Sequence, residues 1–323
     1  MVSEADIAQL ASGVLEGKRR ALARALTLVE SDRLEHQELA WSLFRLLGEA
    51  PRAFRLGITG PPGAGKSTLV ERLVLDWLEQ GEKVAVLAVD PSSRRTGGSL
   101  LGDKTRMGAI AQHPDVFIRP SPNREALGGL GRRTPLMCSL LERAGYRRIV
   151  VETVGVGQSE IGVRFLVDLL MLVALPGAGD EVQGLKRGLM EEVDLIAVNK
   201  ADLGASEIAV AQLRSALRVF RREVPVLSVS ALTGKGFEEL LTALDGTSSV
   251  SVAEGEARLF EQHSQERLRR LLGGHPGWRA LRERVASGES DYLSALPELE
   301  SLLAQILPCV HGEGEPGEES GNA

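Results

Sequence analysis

Gly60-Pro61-Pro62-Gly63-Ala64-Gly65-Lys66-Ser67-Thr68 stands between an apolar run, Phe54 to Thr59, and an amphipathic run, Leu69 to Leu78. The spacing G-x-x-x-x-G-K-S predicts a strand, a tight loop and a helix. Successive backbone N–H groups of such a loop turn inward on phosphate oxygens, with the positive end of the helix behind them. Lys66 is expected to bridge the β- and γ-phosphates and Ser67 to ligate Mg²⁺. A Gly/Pro-rich turn that matches by accident is the competing reading, and the two flanks, each of the required type, argue against it. The expected fold is α/β: a P-loop NTPase with a mostly parallel central sheet, plus N-terminal and C-terminal helical extensions.

The base is expected to be read further on, at Asn199-Lys200-Ala201-Asp202, which follows the apolar run Val193 to Val198. Guanine presents two adjacent donors, N1–H and the N2 amino group, so the Asp202 carboxylate can accept both; adenine offers no such pair. Asn199 is expected to tie the base edge to the phosphate loop, and the aliphatic stem of Lys200 to cover the purine face. Four residues of common types are a weak signal alone. Here Ser230-Ala231-Leu232 follows the apolar run Pro225 to Val229 and offers the Ala231 N–H to guanine O6. Phosphate loop, N-K-x-D and S-A-L stand in GTPase order.

Three carboxylates between these motifs are candidates for the metal neighbourhood together with Ser67. Asp90 ends the run Val84 to Val89, Asp103 lies in the Gly-rich stretch Thr96 to Thr105, and Glu152 ends the run Arg148 to Val151. Acids at strand carboxyl ends fall in the crevice where open α/β sheets bind ligands, and they reach Mg²⁺ directly or through water. Any one of them could equally be a solvated loop carboxylate. Gly155 is expected to give an N–H to the γ-phosphate. Val156-Gly157-Gln158 follows it, so no glutamine occupies the position where a Ras-like enzyme orients its water, and slow intrinsic turnover is expected. Lys186, near Asp180, Glu181 and Gln183, is a candidate to offset charge developing on the γ-phosphate; a solvated lysine at a helix start is the equal alternative.

These residues, with longer blocks around them, resemble the methylmalonyl-CoA mutase-associated GTPases, chaperones of adenosylcobalamin-dependent acyl-CoA mutases. The resemblance is carried by Arg20 to Ser31, Gly60 to Thr68, Asp90 to Met107 (DPSSRRTGGSLLGDKTRM), Arg119 to Gly129, Glu152 to Glu160 (ETVGVGQSE), Leu175 to Gly188 and Asn199 to Asp202. It implies Mg²⁺-dependent GTP hydrolysis that the mutase quickens, a homodimer, and a cycle that gates cofactor delivery and protects the mutase. Lys66, Asp103, Glu152 and Lys186 are the candidate catalytic residues, and the resemblance implies Ser67, Asp90, Asp103 and Glu152 around the metal. Gly60 to Thr68, Gly155, Asn199, Lys200, Asp202 and Ser230 to Leu232 would hold GTP or GDP, and Gly177 to Gly188 would sense the mutase. The mutase's adenosyltransferase is a further candidate partner. The rival readings are an ATP-dependent kinase-like protein and a nucleotide-bound scaffold without a catalytic role.

Four parts are expected: a helical extension over 1–50, the GTPase domain over 51–247, a helical dimerisation region over 248–308 and a disordered tail over 309–323. Apolar stripes, Leu22, Ala25, Leu26 and Val29, then Leu39, Leu43, Leu46 and Leu47, predict amphipathic N-terminal helices. Similar stripes after Ser251 could close a core or face a second copy; the resemblance favours the second copy.

The chain has 323 residues and a net charge of −6 spread without a basic stripe, which argues against nucleic-acid binding. Cys138 and Cys309 form no C-x-x-C pair, a reduced, cytoplasmic pattern, and Cys138 is expected to be a small buried apolar residue. The five histidines include no i, i+4 pair, so a zinc or nickel store is disfavoured. No apolar run approaches the ~20 residues that cross a bilayer.

Overall fold

The computed structural model describes residues 4–31, 33–90, 107–122, 133–153, 163–176, 187–204, 206–219, 223–246 and 271–306, with scattered positions between 257 and 269. The chain divides into two compact units, Met1–Glu256 and Ala257–Ala323.

Among the described residues of the first unit, seven strands form one sheet: β1 (Phe54–Thr59), β2 (Val84–Asp90), β3 (Val116–Pro122), β4 (Arg148–Thr153), β5 (Leu169–Ala174), β6 (Leu195–Val198) and β7 (Val226–Ser228). Their order is β3-β2-β4-β1-β5-β6-β7 and every pairing is parallel. Crossover helices cover both faces of such a sheet, which is why its strands are continuous apolar runs; β5, Leu-Leu-Met-Leu-Val-Ala, is buried at all six positions. Strands β2 to β4 lie to one side of β1 and β5 to β7 to the other, so the direction of winding reverses at β1. Open α/β sheets hold ligands at that point, beyond the strand carboxyl ends.

The helix after β1, α4 (Lys66–Glu79), begins inside the glycine-rich motif, and its Leu69, Val70, Leu73, Val74 and Trp77 are buried with Leu56 and Ile58. Three helices precede the sheet: α1 (Glu4–Leu15), α2 (Arg19–Glu30) and α3 (Leu34–Leu47). The α2 stripe is buried as expected, at Leu22, Ala25, Leu26 and Val29. The α3 stripe is narrower than its sequence suggests, with Leu43 and Leu47 buried and Leu46 exposed at 52 %. Helix α2 is tied to the first sheet edge, where Arg119 of β3 donates to Glu30 at 2.7 Å and to Thr27 at 3.2 Å. At the other end of α2, Arg19 donates to the carbonyls of Ala111 and His113.

A buried ionic knot lies near the amino end of β1, joining it to α5 (Thr134–Arg143). Arg55 Nη2 and Nε donate to Glu142 Oε1 at 2.8 and 3.0 Å, the Ala53 N–H donates to the same oxygen at 3.1 Å, and the Arg55 N–H donates to Asp168 at 2.7 Å. Asp168 also pairs with Arg52 at 2.9 Å. Cys138 is buried beside this knot, and burial pushes its thiol up to about 11, so it is a neutral thiol at neutral pH.

In the second unit, the helices Pro276–Ala286 and Tyr292–Ile306 pack on each other, with Arg284 and Glu298 paired at 2.8 Å. His275 caps the first, its Nδ1 accepting from the Gly277 N–H at 3.2 Å. Leu281, Ala295 and Leu302 are buried, whereas Phe260, Tyr292 and Leu293 are exposed. Among the described residues, no helix is long and apolar enough to cross a membrane.

Candidate functional site

The phosphate loop is shaped by two glycines that no other residue could replace without displacement. Gly60, with φ 144°, lies so close to Val173 of β5 that a Cβ would meet the Val173 carbonyl oxygen. Gly65 has φ 84°, and a Cβ there would stand 2.5 Å from Asn199 Nδ2. The loop is therefore wedged between β5 and the residues that follow β6.

Lys66 opens α4 and is buried; its ammonium donates to the carbonyls of Gly60 at 2.8 Å and Pro61 at 3.1 Å. Ser67, the next residue, donates from Oγ to Glu152 Oε1 at 3.1 Å. Glu152 comes from the end of β4, 85 residues away, and is 5 % exposed. Hydroxyl and carboxylate are hard oxygen donors at a strand end beside the loop. They fit a small divalent cation such as Mg²⁺, which keeps waters and phosphate oxygens for its other positions.

Asp90 closes β2, whose register sets Val89 beside Thr153, next to Glu152. Its side chain lies outside the described residues, as do Asp103, Gly155, Gln158, Asp180, Glu181, Gln183 and Lys186 with most of the loop Gly177 to Gly188. Among the described residues there is no cluster of three or more metal-ligating side chains.

The segments expected to read the base are locked together and to the phosphate loop through Asn199. Its Nδ2 donates to the Ala64 carbonyl at 2.9 Å, and its Oδ1 accepts from the Ala231 N–H at 3.1 Å. The Ala231 N–H, expected at guanine O6, is thus held by Asn199 in this structure. Lys200 has φ 62°, the left-handed conformation, which turns the chain from β6 into the short 3₁₀ turn Ala201–Leu203. Asp202 accepts from the Ser230 hydroxyl at 2.5 Å, and that bond, its own backbone N–H and nearby Lys200 hold its carboxyl below the usual range. Ser230 and Ala231 are buried, and Leu232 is 78 % exposed at the rim. Thus Gly60 to Thr68, Glu152, Asn199 to Asp202 and Ser230 to Leu232 converge at one end of the sheet.

Residues 22–274 match the family described as methylmalonyl Co-A mutase-associated GTPase MeaB. The chain belongs to that family. This MeaB-family GTPase is 48 % identical over 256 residues to a probable GTPase of Mycobacterium tuberculosis, covering 76 % of each chain. It is 43 % identical over 281 residues to GTPase ArgK of Escherichia coli, covering 84 % of this chain and 85 % of that one. With the mouse mitochondrial methylmalonic aciduria type A homolog it shares 39 % over 314 residues, covering 88 % and 75 %. A crystal structure described as LAO/AO transport system kinase superposes with TM-score 0.66 at 33 % identity, covering 94 % of this chain and 99 % of that one. The P-loop NTPase fold expected from the sequence is the fold of the MeaB-family protein.

Thr59, the last residue of β1, is not singled out by any sequence pattern. It is fully buried, and its hydroxyl has no hydrogen-bond partner among the described residues.

Proposed function

We propose that this GTPase is the Mg²⁺-dependent chaperone of an adenosylcobalamin-dependent acyl-CoA mutase, methylmalonyl-CoA mutase before others, gating cofactor delivery and protecting the mutase. The match to a mutase-associated GTPase family over 22–274 supports the partner. The convergence of Ser67, Glu152, Asn199 and Asp202 supports the chemistry.

In this reading the loop N–H groups and Lys66 hold the triphosphate, Ser67 and Glu152 hold the metal with Asp90 and Asp103, and Asp202 selects guanine. Mg²⁺, held there by Ser67 and Glu152, would supply positive charge against the negative charge that develops on the phosphate. Ser67 and Glu152 already face each other at 3.1 Å, so the protein orients its oxygen ligands in advance. Asn199 carries base occupancy to the phosphate loop through Ala64. Lys186 is proposed to add positive charge at the γ-phosphate, Gly155 an N–H, and the loop Gly177 to Gly188 to couple hydrolysis to the mutase.

A second copy of this chain is proposed to pack on the region 248–308, whose Phe260, Tyr292 and Leu293 are exposed. Cytoplasmic residence and a second partnership with the adenosyltransferase belong to the same reading.

The deciding experiment measures GTP and ATP hydrolysis by the purified chain, alone and with the B12-dependent mutase of the same source. A rise specific to GTP on adding the mutase is expected. GTP hydrolysis unchanged by the mutase would overturn the partnership and leave the GTPase in place, and equal use of ATP would overturn the role of Asp202.

A further inference from the structure

Buried hydroxyls in native proteins almost always find a hydrogen-bond partner, so an orphan calls for an explanation. The Thr59 hydroxyl is such an orphan among the described residues, and it lies one residue before the phosphate loop. Side chains alternate along a strand, so Thr59 shares a face of the sheet with Gly57, opposite Leu56 and Ile58. That face is closed by a packed wall: a Cβ on Gly57 would come within 3.0 Å of Val163, Val167 and Leu170. Bulk solvent has no access there, and Thr59 is 0 % exposed.

The neighbouring strand supplies a second hydroxyl. Ile58 is in register with Glu152, so Thr59 and Thr153 are the next residues of their strands and share a face. Thr153 is 2 % exposed, and its Oγ1 donates to the Ile58 carbonyl at 3.3 Å, long for a hydroxyl bond. Its oxygen keeps acceptor capacity. Two buried hydroxyls thus follow the last registered pair, Ile58 with Glu152, on one face of the strands that lead to the phosphate loop and carry Glu152. One makes a long bond and the other makes none.

We propose that Thr59 is a positioning residue for GTP hydrolysis: with GTP held, its hydroxyl donates to Thr153 Oγ1 and ties the phosphate-loop strand to the strand that presents Glu152. The orphan is then the cost of one arrangement and the bond the gain of the other. GTP would favour the second arrangement by as much as it binds that arrangement more tightly than the first. A residue that only filled space would be as well served by valine, which has the same shape and no hydroxyl to bury. The inference rests on reading Gly60 to Thr68 as the phosphate loop.

The test compares single-turnover GTP hydrolysis and GDP affinity of the full chain with those of Thr59→Val, Thr59→Ser and Thr153→Val, with Lys66→Ala as reference. Thr59→Val is expected to slow hydrolysis about tenfold while GDP affinity stays within about twofold, and Thr59→Ser to restore the rate. Thr153→Val is expected to give a similar defect, and the double variant to be no slower than either single one, as for two halves of one bond. Hydrolysis by Thr59→Val within about twofold of the unchanged protein overturns the proposal, and so do equal losses for GTP and GDP or additive defects in the double variant. Should Thr59→Val not fold, Thr59→Cys against Thr59→Ser makes the same comparison, with Cys expected to be slow. Failure of the phosphate-loop reading shows separately, as Lys66→Ala binding and hydrolysing GTP like the unchanged protein.

Discussion

The side-chain amide of Asn199 donates to the carbonyl of Ala64 at 2.9 Å, joining the end of β6 to the phosphate loop across 135 residues of sequence. The same amide accepts from the Ala231 N–H on its other side, so one buried side chain fixes the mutual positions of the phosphate loop, the end of β6 and the loop after β7.

Asn199→Ala is expected to be costly for that reason. It leaves two buried backbone groups, the Ala64 carbonyl and the Ala231 N–H, without this partner, at about 1–3 kcal/mol for each. Affinity for GTP and GDP should fall together, because both share the base and the loop. Isothermal titration with each nucleotide checks this, and a loss confined to GTP would contradict it.

Asp202→Asn addresses the base directly. Replacing the carboxylate by an amide removes one of the two acceptors matched to guanine N1–H and N2, and should weaken GTP by roughly a hundredfold while the preference over ATP collapses. The pH dependence has a definite sign. A carboxyl held below its ordinary value is charged across the neutral range, and its contribution is lost only as pH falls through that lowered value. The Asp202 contribution to GDP binding, read as the difference from Asp202→Asn because the GDP phosphate itself takes up a proton at about pH 6, should therefore persist on acidification through the usual carboxylate range near pH 4 and fall only below it. Ser230→Ala removes the largest cause of the lowering, so the fall should move to higher pH. Binding of a fluorescent GDP analogue across pH reads both.

The segments expected at the nucleotide could be placed at strand ends from the sequence because each is a contiguous motif. Gly60 to Thr68, Asn199 to Asp202 and Ser230 to Leu232 follow apolar runs that become β1, β6 and β7. What joins them was less so: the Ser230 hydroxyl on Asp202 and the Ala231 N–H on Asn199 are side-chain contacts across a turn, with no sequence spacing of their own. Arg55 and Glu142, 87 residues apart, have no spacing that pairs them, and only the fold brings them together in the interior. Leu46 fits the α3 stripe by spacing alone, yet it falls on the edge of that helix's buried face and remains exposed.

Glu142→Ala tests that interior pair. Both partners are nearly inaccessible, at 6 % and 7 % side-chain exposure, so removing the acid leaves Arg55 charged and without its closest acceptor. Breaking a buried pair from one side costs about 3–5 kcal/mol. The Ala53 N–H loses its acceptor as well. A lower midpoint in urea with an unchanged slope is expected, and a midpoint like that of the unchanged protein would show that the pair contributes little. Cys138, next to this pair, should resist iodoacetamide in the folded protein and react once urea unfolds it, since its thiol is both buried and protonated.

Ser67 and Glu152 carry the metal prediction. Their bond at 3.1 Å sets a hydroxyl and a carboxylate side by side, but the two should fail differently. Ser67→Ala deletes one neutral oxygen ligand and leaves the charge of Glu152, so hydrolysis should be recoverable at Mg²⁺ concentrations about tenfold higher. Glu152→Gln keeps the shape and an acceptor oxygen but removes the charge that opposes the cation. Its hydrolysis should stay low, by about a hundredfold, however much Mg²⁺ is added. Chelation with EDTA should stop hydrolysis by the unchanged protein. A Mg²⁺ titration of GTP hydrolysis for the three proteins separates these cases, and identical curves for all three would remove both residues from the metal neighbourhood.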